Sequence, residues 1–432
     1  MQAAEAATVY GVEADLERRA FMKAAWRLVP FLTLGYLLNY MDRNNVGFAG
    51  LTMNRETGLT ATQFGFGAGI LFLSYSTFEI PSNMALYRVG ARRWISRIMI
   101  TWGIVSAATA LVTGPRSWYA LRFVLGLAEA GFFPGITFYL ATWFPAEYRA
   151  RMLAWFLVAI PVSTVIGGPL SGVLLQMDGI GGLSGWKWLF IIEGLPAALL
   201  GIAALRILPD TPEQATFLTD EEKRLVRERI LSERREKEMQ QLLPALTDVR
   251  VLILTVAQFG FTAGSYGVGI WLPQIIKDAH LTDLEVGLVT GACYAVASVT
   301  MIVWAVWVDR SGKKIKNLTM ACLVATLGLV LAIASGNFWI SLAWITLALV
   351  GITSARAIFW TIPTRFLTGL AAAGGLAFIN SIGTLGGFIG PFAVGWLRDA
   401  TGSFAAGLIA MAGLLALATA TSFSLKLYVN QE

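Results

Sequence analysis

The sequence concentrates its chemistry in ionisable side chains set inside long apolar runs. The run LGYLLNYMDRNNVGFAGL carries Asn39, Tyr40, Asp42, Arg43, Asn44 and Asn45, with apolar residues on both sides that oppose a polar loop at this point. The run WYALRFVLGLAEAGFFPG carries Arg122 and Glu129, seven residues apart. That spacing is close to two helical turns, so both project from one face, about 10 Å apart along the axis. Arg356 lies in a third run, followed by Trp360, Thr361 and Thr364, and a fourth run supplies Asn380, Ser381 and Thr384. A charge at bilayer depth is costly, so such residues face a cavity and pair with one another. Arginines there suit a carboxylated solute, which needs a cation to offset its lost hydration. Glu79 and Glu193 fall within a turn or two of a span boundary and read as snorkelling or helix-end groups. Asn380 either contacts a polar solute or stitches two helices together.

The elements that must position these residues are membrane spans. Of the 432 residues 56% are hydrophobic and only 14% charged, and the mean hydropathy is +0.64. A soluble domain carries about a quarter charged residues. The apolar residues come in runs of about twenty, the length that crosses roughly 30 Å of hydrocarbon. Such runs lie near 28–50, 64–87, 94–113, 117–140, 151–177 and 186–206, then near 248–273, 285–308, 316–335, 338–364, 372–397 and 403–427. The expected fold is all-α, with twelve transmembrane helices in two pseudo-symmetric six-helix bundles. The expected divisions are 1–206, a cytoplasmic linker over 207–247, and 248–432. The linker is dense in both signs of charge, and Thr219 with Glu222 has the spacing of a capping box.

Basic residues stay on the cytoplasmic side. With both termini inside, that side holds 25 Lys and Arg and the other side five. The net charge of +6 then belongs to loops that meet anionic headgroups. The first 27 residues lack an apolar core, so no cleavable signal peptide is expected. The halves also look related: Arg88 and Gly90 against Arg310 and Gly312, Phe144 against Phe366, and Gly168-Pro169 against Gly390-Pro391 are each 222 positions apart. Two related bundles suit alternating access, in which the halves rock around a site at their interface.

Other chemistries lack their parts. Cys293 and Cys322 lie inside apolar runs, and His280 stands alone, so neither a disulfide framework nor a metal site is expected. There is no HExxH and no nucleophile elbow, which leaves a membrane enzyme on this architecture without its machinery. The glycine-rich pieces GGPLSG and GTLGGFIGP read as close-packing and bending devices. No cofactor or nucleic acid is expected.

Nearly the whole chain resembles a major facilitator superfamily transporter of the anion:cation symporter family, which includes bacterial sugar-acid, tartrate and phthalate permeases and relatives of sialin and the vesicular glutamate transporters. The carrying strings include NYMDRNNVGFA, SYSTFEIPSN with RVGARRWI, RFVLGLAEAGFFPG, LATWFPAEYRAR, WLFIIEGLPA, FWTIPTRFLTG and INSIGTLGGFIGP. The resemblance implies proton carriers at Asp42 and Glu129, arginines at Arg43 and Arg122 that engage those carboxylates or the anion, and a substrate site lined by Tyr40, Tyr75, Trp360 and Asn380. Two departures stand out. Ile160 and Val162 flank Pro161 where sugar-acid permeases place a polar side chain, and Arg356 stands where a small or neutral residue is expected. Both point away from a sugar acid, and Arg356 suggests a second anionic group. The expected activity is proton-coupled uptake of an organic anion across the inner membrane by a monomer, the rival being an uncoupled facilitator or exporter. Gly90 and Arg92 in one basic loop, with Asp309 and Gly312 in its counterpart, are expected to act in gating.

Overall fold

The computed structural model describes residues 2–235, 247–363, 366–367 and 369–429. Linker positions 236–246, together with Thr364 and Arg365, lie outside the described residues.

Among the described residues twelve crossings form, several of them opening on a side chain that replaces a missing backbone partner. The first bundle comprises α1 (Gln2–Thr57), α2 (Ala61–Val89), α3 (Ala91–Ala108), α4 (Pro115–Glu129) with α5 (Phe132–Trp143), α6 (Ala146–Leu157) with α7 (Ala159–Leu175), and α8 (Gly185–Ile207). A charged helix α9 (Asp220–Arg235) follows. The second bundle comprises α10 (Val249–Lys277), α11 (Asp283–Ser311), α12 (Lys314–Ala334), α13 (Phe338–Phe359), α14 (Gly369–Thr384) with α15 (Gly386–Thr401), and α16 (Phe404–Ser424). Capping boxes open α2 at Thr60 and Gln63 and α11 at Thr282 and Glu285. The box expected at Thr219 and Glu222 opens α9.

Ten segments are apolar enough to be recognised as spans by length and composition alone. In α1 and α2 the polar residues at 39–45 and 74–79 lower the hydropathy. The first crossing is one unbroken helix through Asp42 and Arg43, which excludes a polar loop there.

Among the described residues one crossing leaves helical geometry partway. The fourth breaks directly after Glu129: Ala130 leaves helical geometry and Gly131 adopts φ 85°, a left-handed conformation that suits glycine. The Ala130 carbonyl freed by the break accepts a hydrogen bond from the Ser82 hydroxyl at 2.6 Å, so this buried backbone group remains satisfied. Val158 and Leu385, the second a short distance after Asn380, mark milder irregularities at which the backbone keeps helical dihedrals.

The two bundles meet along α2 with α15, α7 with α11, and α1 with α10. Contact is close because glycine admits backbone against backbone. A Cβ on Gly65 would stand 2.3 Å from the Pro391 carbonyl oxygen, and one on Gly168 would stand 2.8 Å from that of Gly287. Thus Gly168-Pro169 and Gly390-Pro391, matched by spacing in the sequence, occupy equivalent fifth and eleventh crossings. Asp399 completes this seal from the second bundle, its carboxylate accepting the Ala61 and Thr62 amides at 3.2 and 2.7 Å. These contacts lie where α1 ends and α2 and α11 begin. The cross-bundle hydrogen bonds nearest the opposite end join Glu79 to Asn380 and Ser381.

Candidate functional site

Asp42, Arg43, Arg122 and Glu129, singled out by sequence, converge inside the first bundle. Arg43 on α1 donates from Nε to Oε2 of Glu129 on α4 at 2.8 Å, and both residues are buried. The guanidinium of Arg43 also lies 4.9 Å from the ring centre of Tyr75, 5.7 Å from that of Tyr40 and 5.9 Å from that of Phe72. Three aromatic faces therefore cradle a cation already engaged by a carboxylate.

Asp42, the residue before Arg43 on α1, faces α3. Its Oδ1 accepts from the Ser106 hydroxyl of α3 and from Nδ2 of Asn45, the latter at 3.3 Å. Arg122, 1% exposed, lies over the Trp118 ring at 5.3 Å, with Asp42 and Glu129 as its electrostatic neighbours. Among the described residues, Oδ2 of Asp42, Oε1 of Glu129, and Nε and Nη1 of Arg122 have no hydrogen-bond partner. Two acids and two arginines share a low-dielectric site in which one direct ion pair is closed, leaving others to form when that pair opens.

Two acids read from sequence as boundary groups belong to the interior. Glu79 is 6% exposed and accepts from Nδ2 of Asn380 at 3.0 Å and from the Ser381 hydroxyl at 3.5 Å, so it joins the bundles. Glu193 on α8, 3% exposed, accepts from the Ser171 hydroxyl of α7 at 3.0 Å, with Asn45 and Asp42 on its other side. A usable signal existed for Glu79, which is four residues from Tyr75 and shares its helix face. No local signal marks the partners of Glu193, because Ser171 is brought to it by packing.

The second bundle contributes differently. Arg356 donates from Nη2 to the Ser265 hydroxyl at 2.9 Å and lies 5.7 Å from the Tyr266 ring centre. Tyr266 in turn packs on Phe72 of the first bundle at 4.2 Å. Asn380 stitches two helices, as one of its readings had it, and its partner is an acid. Trp360 caps α13 and packs edge-on against Phe359 at 5.2 Å; it is not brought onto the Arg43 cluster by any ring or hydrogen-bond contact among the described residues.

The loop residues sit at helix junctions. Gly90, φ 97°, joins α2 to α3, and Gly312, φ 71°, joins α11 to α12. The Arg92 amide and side chain both engage Asp210, beyond the end of α8, at 2.8 and 3.5 Å. That contact stays within the first bundle and its exit, while Asp309 is exposed.

Comparison with known proteins follows the same lines. The profile described as Major Facilitator Superfamily matches residues 32–391 and 254–430. A putative tartrate transporter of Agrobacterium vitis is 48% identical, over 93% of this chain and 90% of its own length. A quinolone resistance transporter of Acinetobacter baumannii is 38% identical, over 91% and 92%. Among solved structures, the xylose transporter XylE from E. coli, in a partially occluded inward open conformation, superposes with a TM-score of 0.76 at 13% identity, covering 94% of this chain and 98% of that one.

Proposed function

The chain belongs to the major facilitator superfamily of membrane transporters, and from that premise we propose that it carries out proton-coupled uptake of an organic anion by alternating access across the inner membrane, with both termini cytoplasmic. The observation that supports this most is the buried Arg43–Glu129 ion pair beside Asp42 and Arg122. An arginine locked to a carboxylate is unavailable to a substrate anion. A proton taken up by Glu129 dissolves the pair and frees the guanidinium for the substrate. Release of that proton restores the pair and expels the anion. Asp42, hydrogen-bonded to Ser106 and facing Arg122, is the second proton carrier on this reading.

The 25 basic residues assigned to one side support a cytoplasmic location for the Gly90 and Gly312 loops. On that orientation the seal at Gly65, Pro391 and Asp399 closes the outer end, and the conformation is inward-facing. The division into 1–206, the 207–247 linker and 248–432 then separates two bundles that rock about the cluster. Tyr40, Tyr75 and Asn380 line the solute path, Trp360 borders it, and Gly90, Arg92, Asp309 and Gly312 serve the loops that move.

Uptake of labelled tartrate and other organic acids into proteoliposomes with an imposed pH gradient tests the proposal. Accumulation that requires the gradient and consumes it supports symport. Equilibration without accumulation, or extrusion, would favour the uncoupled or exporting rival, to which the likeness to a quinolone resistance transporter lends support.

A further inference from the structure

Resting on the organic-anion reading above, we infer that the substrate carries two anionic groups, one held by Arg356 of the second bundle and the other by Arg43 of the first, which makes its class a compact dicarboxylate. The argument begins with the charges around each arginine. Arg43 is matched by Glu129, and Arg122 has Asp42 and Glu129 beside it. Arg356 has no carboxylate within ion-pair distance among the described residues. Its hydrogen bond goes to the Ser265 hydroxyl, and its electrostatic neighbours are four phenols: Tyr36, Tyr40, Tyr266 and Tyr294.

Arg356 is half-buried, and a guanidinium partly withdrawn from water without a counter-charge is costly. The acid that joins the bundles does not answer it, because Glu79 is engaged by Asn380 and Ser381. An anion entering between the bundles does answer it, and neighbouring phenols can donate to the same carboxylate. Tyr40 links this place to the Arg43 cluster. Its ring lies 5.7 Å from the Arg43 guanidinium, and both Arg43 and Arg356 act on its hydroxyl.

The two cations therefore differ in kind. Arg356 is a standing anchor that requires no proton, whereas Arg43 becomes available only when Glu129 is neutralised. A monoanion seated on Arg356 leaves the freed Arg43 unmatched. A second carboxylate on the same solute matches both and bridges the two bundles, so the loaded carrier closes around it.

The test compares diacids with their half-amides, which have similar shape but one charge fewer. Affinities of purified full-length protein are measured for tartrate against tartramate and for phthalate against phthalamate. The expected result is that at least one diacid binds about tenfold or more tighter than its half-amide, about 1.4 kcal/mol. Arg356→Gln should bring that ratio to within about twofold, and Arg356→Lys should keep part of it because charge remains while the planar fork is lost. Equal wild-type affinity for diacid and half-amide overturns the inference and leaves organic-anion transport standing, as does an undiminished ratio in Arg356→Gln. Should Arg356→Gln fail to fold, the wild-type comparison and Arg356→Lys decide the matter. Binding of no acid in either pair by wild-type protein overturns the transport reading itself.

Discussion

Removing one member of the Arg43–Glu129 pair leaves a buried charge uncompensated, typically a loss of about 3–5 kcal/mol of stability. Arg43→Ala should therefore weaken both folding and substrate binding, whereas the double variant Arg43→Ala with Glu129→Gln should regain thermal stability without regaining binding. Arg43→Lys should restore binding only in part, since a lysine lacks the bidentate fork. Wild-type affinity in Arg43→Ala would remove this residue from the substrate site. Asp42→Asn and Glu129→Gln preserve shape and remove titration, so each should abolish accumulation driven by a pH gradient, with at least one retaining substrate exchange across proteoliposomes. Undiminished accumulation in both, with proton flux intact, would contradict the coupling scheme. Asp42, Arg43, Arg122 and Glu129 were legible in the sequence because charge inside an apolar run is conspicuous. Glu79 and Glu193 read as boundary groups because they lie near span ends in the sequence, whereas the structure buries both. Helix α2 packs against α14 and α15, and its face, not its depth, decides that Glu79 is buried.

At the scale of elements, the sequence yielded twelve crossings and the α9 cap, since runs of about twenty apolar residues and a Thr-x-x-Glu pattern have local causes. The break at Ala130 was not legible, because a neighbouring side chain, Ser82, satisfies the interrupted backbone. The seal between α2 and α15 depends on the absence of side chains. Gly65→Ala places a carbon 2.3 Å from a backbone oxygen and should open the outer end. Asp399→Asn weakens the cap on α2 by about 1 kcal/mol, roughly a fivefold shift in population. Both should raise labelling of a Phe66→Cys probe by a membrane-impermeant thiol reagent; unchanged labelling would locate the seal elsewhere. Helix α9 is joined to α1 by Lys23, whose Nζ lies 2.5 Å from Glu222, and by Arg229, 3.6 Å from Glu17. Burial opposes the charge on Glu222, but Lys23 and the Thr219 amide hold its carboxyl below the usual range. A depressed pKa contributes stability above the unfolded value and loses it as pH falls through the folded one. The protection of α9 amides against hydrogen exchange, relative to the unfolded chain at the same pH, should thus be constant near neutral pH and fall only under acid below about pH 4. Glu222→Gln should accelerate exchange at neutral pH, and protection unchanged there would show that the bond does not anchor α9.

Across the whole molecule, alternating access requires the outer seal to part while the loops at the other end draw together. Arg92 is tied to Asp210 and not to the second bundle, so its expected part is to hold the α2–α3 junction against the exit of α8 while the bundles rock. Arg92→Ala should slow turnover severalfold while changing substrate affinity less than about twofold, as read by uptake rates alongside equilibrium binding. A defect confined to affinity would rule out gating. The paired bundles were legible through the 222-residue matches, but the conformation was not, because it depends on which of two sets of cross-bundle contacts is closed. The closed set is built largely from carbonyl oxygens and glycine α-carbons. Such a closure cannot discriminate among passengers. Variants that alter only Gly65 should multiply the maximal velocities of every carried compound by one common factor, leaving their relative ranking unchanged.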